Sequence, residues 1–299
     1  MNSMQIGWIG TGVMGNAMCG HLINSGHQLY IFNRTRRKAE NLLDKGAKWC
    51  TSPRDIAIKS QVIFIMVGYP QDVEETIFGP QGVLAGVTTG AIIVDMTTSS
   101  PQLAHSIYEA SHKRGAHALD APVSGGDIGA QQASLAIMAG GDPSIFQCVL
   151  PLFQCMGKTI THMGSAGSGQ HTKMCNQILV AGNMLGAVES LLYAQRVGMD
   201  LNCVIDVIGK GAAGSWAINN LGPRIAANNF NPGFFIKHFI KDMGIALKEA
   251  QHMKLALPGL ALVNQFYIAA MAQGEENLGT HALYRILARM NNMQLPIKG

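Results

Sequence analysis

The stretch that most constrains this chain is Gln5–Gly15, "QIGWIGTGVMG". A short apolar run ends in Gly10-Thr11-Gly12-Val13-Met14-Gly15, and a helical pattern follows. The first glycine of such a loop permits a tight turn after a strand. The second removes a side chain, so that backbone N–H groups can approach a pyrophosphate. The third lets the helix pack closely on the strand. The N-terminus of that helix then faces the phosphate charge. The glycine spacing alone is weak evidence, but here it ends an apolar strand and opens a helix, the context that a dinucleotide-binding βαβ unit requires.

The rest of the first half continues the alternation. "QLYIF" (28–32), "VIFIMV" (62–67), "AIIVDM" (91–96), "HALDA" (117–121) and "LAIMAG" (135–140) read as strands. They are apolar on both faces, as strands of a covered parallel sheet should be. Helix candidates lie between them at 13–24, 35–45, 53–59, 70–77, 100–113 and 142–155, with Gly26, Gly46 and Gly115 where helix C-caps belong. Strands alternating with helices predict a doubly wound α/β domain. Past residue 164 the pattern becomes helical: one long helix from Gln170 to about Gly198, then 201–211, 215–227, 240–254, 258–273 and 279–292. The expected division is a nucleotide-binding domain over 1–163 and an all-α domain over 164–299, opening on a long inter-domain helix.

The end of the second strand bears on cofactor choice. An NAD site usually places Asp or Glu there, about 20 residues after the glycines, to accept hydrogen bonds from the ribose 2′-hydroxyl. This chain has Asn33, followed by Arg34, Thr35, Arg36, Arg37 and Lys38. No carboxylate repels a 2′-phosphate, Arg34 matches phosphate bidentately, and Thr35 adds a donor. The stretch reads as an NADP(H) pocket, with NAD(H) the second option. The other reading is a solvated helix start, and Arg37 and Lys38 fit it well.

Composition narrows the class. Charged residues make up only 13% of the chain, about half the usual share, which points to apolar surface covered by another copy: a homodimer or homotetramer. A net charge of +4 and no long basic tract give no support for nucleic-acid binding. The six cysteines form no CxxC pair or zinc spacing, and scattered thiols suit a reducing cytoplasm. His21, His171 and His238 have no partner at ligand spacing, so no metal is expected. The longest apolar candidate, Ile178–Val188, is too short to span a bilayer, and the N-terminus does not read as a signal peptide.

Three further stretches carry polar groups suited to chemistry. In "DAPVSGG" (120–126), the Ser124 hydroxyl and the N–H groups of Gly125 and Gly126 can form a small anion nest. In "GSGQHTKMCNQ" (167–177), Lys173 and Asn176 lie three apart and share a helix face. Apolar neighbours around Lys173 would desolvate its amine and favour the neutral form, as proton exchange near neutral pH requires. "KDMGIALKEA" (241–250) adds Lys241 and Asp242. Thr98 follows the strand 91–96 at the carboxyl edge of the sheet, the edge that faces a cofactor in such folds. Val67, ending the strand 62–67, is mainly a packing residue that also reaches that edge.

Together with the glycine loop, these stretches are ordered and spaced so that nearly the whole chain resembles the β-hydroxyacid dehydrogenase family, which includes 3-hydroxyisobutyrate dehydrogenases and tartronate, glyoxylate and succinic semialdehyde reductases. The resemblance implies a Rossmann-type N-terminal domain and an oxidoreductase that interconverts a small β-hydroxy acid and its semialdehyde or keto form. It makes Lys173 the catalytic lysine and assigns the substrate carboxylate to Ser124, Gly125 and Gly126. Asn176 and Lys241 complete the substrate site, with Lys241 also near the nicotinamide. Gly10, Thr11, Gly12, Val13, Met14, Gly15, Asn33, Arg34, Thr35, Val67 and Thr98 hold the cofactor. One departure stands out: Gln177 occupies the place where many members carry a second asparagine. Two alternatives are an imine reductase-like enzyme, against which Lys173 speaks, and a catalytically silent NADP(H) sensor, against which the full polar set speaks.

Overall fold

The computed structural model describes residues 4–296. The chain divides into two compact units, Met1–Lys173 and Met174–Gly299.

The first unit alternates strands and helices: β1 (Gln5–Ile9), α1 (Val13–Asn24), β2 (Gln28–Phe32), α2 (Glu40–Asp44), β3 (Lys48–Trp49), α3 (Pro53–Lys59), β4 (Val62–Ile65), α4 (Pro70–Phe78), β5 (Ile92–Asp95), α5 (Pro101–His112), β6 (His117–Asp120), β7 (Val123–Ser124), α6 (Gly126–Gln131), β8 (Leu135–Gly141), α7 (Pro143–Gln154) and β9 (Gly157–Gly164). The strands form one sheet in the order β3-β2-β1-β4-β5-β6-β8-β7, with β9 paired to β8. The run from β3 to β6 is parallel. The central strands β1, β4, β5 and β6 are buried on both faces because helices cover both. Ile6, Trp8, Val62, Phe64 and Val94 enter one apolar cluster, while Ile63, Ile65 and Ile93 enter the other. That is the period-2 alternation of a strand with no solvent face.

The sheet is doubly wound as expected but not parallel throughout: β8 is antiparallel to β6 and β7 and parallel to β9. The short helix α6 carries the chain back beside β7, so β8 returns in the opposite sense. Three strands were not expected. Two of them, β3 and β7, are only two residues long. The third, β9, lies at the edge of the β8 pairing and carries Lys158, Thr159, Thr161 and His162, so it has no apolar run to announce it. Helix starts follow their caps: Ser52 and Ser100 each accept a main-chain N–H three residues on, ahead of Pro53 and Pro101 at the first helical position. Gly26 and Gly46 have positive φ at the C′ position of their helices, and Gly115 has it one residue further past α5. The expected helix over 35–45 is instead a 3-10 turn, Arg36–Ala39, running into α2.

The helix α8 (Ser168–Arg196) runs from the first unit into the second. It is longer than the apolar run Ile178–Val188 suggested, and by length and composition it could cross a membrane. In this fold it is a core helix: Met174, Ala181, Met184, Val188 and Leu191 lie in the second unit's apolar cluster. The remaining helices of that unit are α9 (Leu201–Ile208), α10 (Gly222–Ala226), α11 (Ile236–His252), α12 (Pro258–Ala272) and α13 (Leu283–Met290). A π-turn, Ala217–Leu221, interrupts the segment expected as one helix over 215–227.

Candidate functional site

The glycine loop leaves β1 at Gly10, whose φ of +97° and distance of 2.2 Å from a would-be Cβ to the Met66 carbonyl oxygen exclude any other residue. At Gly15 a Cβ would lie 2.1 Å from the Gly10 carbonyl oxygen, which is the close strand–helix approach expected of the third glycine. The Trp8 indole Nε1 donates to the Gly10 carbonyl at 2.8 Å and pins the turn. A Cβ at Gly12 would meet no protein atom within 4 Å. Gly12 is the N-cap of α1, and no side chain caps that helix. The Thr11 hydroxyl is buried and has no hydrogen-bond partner. Open space, an uncapped helix N-terminus and an orphaned hydroxyl together fit a bound pyrophosphate. Val13 and Met14 form the first turn behind the loop, with Val13 exposed.

Asn33 is occupied internally. Its Oδ1 accepts the Thr11 N–H at 3.1 Å, and its Nδ2 donates to the Thr35 carbonyl at 2.8 Å. The amide therefore ties the end of β2 to the glycine loop. Arg34 is 79% exposed and sits 2.9 Å from the Asp72 carboxylate. Asp72 also accepts the Tyr69 N–H at the start of α4. Sequence reasoning missed this counter-ion, although a carboxylate three residues past Tyr69 is a recognisable capping signal. Thr35 is exposed at the N-cap of the 3-10 turn, and Arg36 stacks over the Trp49 ring at 5.4 Å.

The carboxyl ends of β5 and β6 carry Asp95 and Asp120, which are direct register partners. Asp95 accepts the Thr97 N–H at 2.9 Å and the Ser99 hydroxyl at 3.2 Å. The Thr97 hydroxyl oxygen in turn accepts the Val67 N–H at 3.0 Å. Val67 thus lies just beyond β4, tied to the loop that carries the half-buried Thr98. Asp120 accepts the N–H groups of Gly167 and Gln170 at 2.7 and 2.8 Å, capping α8. The Gln170 side chain reaches back to β5: Nε2 donates to the Thr97 carbonyl at 2.8 Å, and Oε1 accepts the Ser99 N–H at 3.0 Å. Burial pushes the Asp95 carboxyl up to about 7, against the opposing hydrogen bond from Thr97. Burial also raises Asp120, against its two helix N–H donors.

One turn further along α8, Lys173 is buried at 6% exposure, and its Nζ donates to the Val123 carbonyl at 2.8 Å. Val123 is the residue before Ser124, so the amine and the "DAPVSGG" stretch meet within the first unit. Ser124 is half-buried in β7, and Gly125 and Gly126 follow at φ +133° and +64°. A Cβ at Gly126 would meet nothing within 4 Å.

In the second unit, Asn176 Nδ2 donates to Gln177 Oε1 at 2.7 Å, and Gln177 Nε2 donates to Asp242 Oδ2 at 2.6 Å. Lys241 Nζ lies 2.9 Å from the other Asp242 oxygen. Gln177 is therefore the link between Asn176 and Asp242, and its longer side chain spans that gap. Lys237 donates to Asn277 and packs over Phe235, a structural position.

Comparison with known proteins bears on this arrangement. Residues 5–164 match the family model of the NAD binding domain of 6-phosphogluconate dehydrogenase. Residues 167–287 match the model described as NAD-binding of NADP-dependent 3-hydroxyisobutyrate dehydrogenase. The chain is 51% identical to an uncharacterized oxidoreductase, YkwC, of Bacillus subtilis, over 94% of this chain and 98% of that protein. It is 48% identical to a probable mitochondrial 3-hydroxyisobutyrate dehydrogenase-like 1 of Arabidopsis thaliana, over 98% of this chain and 88% of that protein. Among solved structures, a Mycobacterium tuberculosis 3-hydroxyisobutyrate dehydrogenase with L-serine superposes with a TM-score of 0.86 at 28% identity, covering 95% of this chain and 99% of that one.

Proposed function

We propose, because the chain belongs to the β-hydroxyacid dehydrogenase family of NAD(P)-binding oxidoreductases, that it interconverts a small β-hydroxy acid and its semialdehyde or keto form with NADP(H) as the preferred cofactor. The nicotinamide supplies hydride transfer when bound. Gly10, Thr11, Gly12, Val13, Met14 and Gly15 hold the pyrophosphate, and Asn33, Arg34 and Thr35 the ribose with its 2′-phosphate. Val67, Thr98 and Lys241 complete the cofactor site. Ser124, Gly125 and Gly126 bind the substrate carboxylate. Asn176, one turn after Lys173 on α8, orients the reacting oxygen. In oxidation Lys173 accepts the hydroxyl proton, and in reduction it returns that proton to the carbonyl oxygen.

The observation that carries this reading is the buried Lys173 amine, held 2.8 Å from the Val123 carbonyl beside Ser124. A proton donor and a carboxylate-binding loop within reach of each other are what a short hydroxy acid needs at its two ends. The likeness to the two relatives named for 3-hydroxyisobutyrate dehydrogenase supports a small hydroxy acid as substrate. The nucleotide half is assigned to 1–163 and the substrate and oligomerisation half to 164–299, in a cytoplasmic homodimer or homotetramer. Initial rates with NADPH and NADH against glyoxylate and succinic, tartronate and methylmalonate semialdehydes test the reading. Absence of turnover with every member of the panel, in both directions, would overturn it.

A further inference from the structure

We propose that Gln170 is a positioning residue for the proton transfer assigned to Lys173, a proposal that rests on that assignment. Gln170 is fully buried in the first turn of α8. Both ends of its amide are used, and both by main chain of one loop: the Thr97 carbonyl accepts from Nε2 and the Ser99 N–H donates to Oε1. The side chain thus mimics a peptide unit paired to an extended strand, bracketing Thr98. That loop is rigid on its far side too, because Asp95 binds Thr97 and Ser99 while the Thr97 hydroxyl binds Val67.

The start of α8 does not need this side chain for its own termination. Asp120 already accepts the N–H groups of Gly167 and Gln170, so the helix is capped without the amide. What the amide adds is a fixed spacing between the loop carrying Thr98 and the helix face carrying Lys173. Residues three apart share a helix face, which puts Gln170 directly before the amine in the stack. Lys173 is bound at its tip to Val123, and Gln170 fixes the base from which that tip reaches. Proton transfer and hydride transfer must be aligned together, and a misplacement of about 1 Å costs on the order of 100-fold in rate. A glutamine here acts as a ruler between the two.

Two variants test this. Gln170→Met keeps the volume and removes both hydrogen bonds. Gln170→Glu keeps the length and the acceptor for the Ser99 N–H, and replaces the donor to Thr97 with a carboxylate oxygen. Each should lower kcat by about 10- to 100-fold, with the dissociation constant for NADPH, read by fluorescence of the bound nucleotide, held within about threefold. In a Lys173→Ala background, the same substitutions should lower the residual single-turnover rate no further, since coupled residues are non-additive. A kcat within twofold of wild type, or the same fractional loss with and without Lys173, overturns the proposal. So does failure of both variants to fold, because the amide would then serve stability. Full turnover by Lys173→Ala alone would instead remove the lysine assignment, a separate outcome from any result on Gln170.

Discussion

Replacing Asp95 with asparagine should flatten the dependence of stability on pH. In the folded chain Asp95 is buried, and its carboxyl is raised from 3.8 to about 7. A carboxyl raised on folding binds its proton more tightly in the native state. Its contribution is fully present below the unfolded value and is lost as pH rises through the folded one. Between pH 4 and 7 the unfolded chain releases this proton and the folded chain keeps it. Three pKa units at about 1.4 kcal/mol each put the loss at about 4 kcal/mol. Asparagine preserves the hydrogen bonding, since its Oδ1 can accept from Thr97 and its Nδ2 can donate to a rotated Ser99 hydroxyl. Urea unfolding of both proteins at pH 4 through 8 gives the comparison. The difference between variant and wild type should move in favour of the variant by several kcal/mol across that window. Titrating groups remote from Asp95, such as His281 with its value pushed down to about 4 by burial, are common to both proteins and cancel. Parallel curves would refute the reasoning and place the Asp95 proton elsewhere.

Three further outcomes are expected. Lys173→Ala should leave NADPH binding nearly intact and cut kcat by about 10²–10⁴-fold, and Lys173→Arg should fail almost as badly, because a guanidinium does not exchange its proton near neutral pH; steady-state kinetics decide, and an active Arg variant would reduce the requirement to charge. Arg34→Ala should weaken NADPH by about 10- to 150-fold and spare NADH, whereas Asp72→Asn, which frees Arg34 from an exposed ion pair worth only about 0.2–1 kcal/mol, should tighten NADPH by about 1.5- to 5-fold; binding titrations with both nucleotides read this, and equal changes for the two would detach the pair from the 2′-phosphate. Light scattering at micromolar concentration should give a dimer or tetramer, because Leu179, Tyr193, Val207, Trp216 and Leu262 are all more than half exposed on this single chain; a species of about 32 kDa alone would contradict it.

Much of the sheet was legible because its central strands are apolar on both faces. β1, β2, β4, β5, β6 and β8 all stand where a run of Ile, Val, Leu or Phe is bounded by glycine or polar residues. The unexpected strands lack that signal for physical reasons. β3 and β7 each exist through a two-residue pairing with a neighbour, and β9 borrows its order from β8. The glycine loop was readable because steric demand at Gly10 and Gly15 leaves no other residue type. Contacts distant in sequence were not readable. Nothing near Arg34 announces Asp72, and nothing near Gln170 announces Thr97 and Ser99, which lie 73 and 71 residues earlier. Gln170 had one indirect signal, its position three residues before Lys173 in the same quoted stretch.

The two buried carboxylates show why this edge of the sheet is built as it is. Asp95 and Asp120 end adjacent strands in register, and like charges held that close in a desolvated site disfavour double ionisation. Burial first, and this repulsion last, raise the Asp95 carboxyl, burial raises Asp120 as well, and the hydrogen-bond partners of each oppose the rise. Asp120 accepts two main-chain N–H groups at the start of a 29-residue helix, where both the donors and the helix dipole favour a negative charge. Asp95 accepts one main-chain N–H and one hydroxyl, a weaker set, and burial outweighs the donors at both carboxyls. The donors at the helix start therefore oppose the rise more strongly at Asp120 than the loop donors do at Asp95. The helix that carries Lys173 is thus capped by the carboxyl group that gains more from ionising, while the loop that carries Thr98 is organised by the one that gains less, and Gln170 joins the two through a neutral amide that needs no proton of its own.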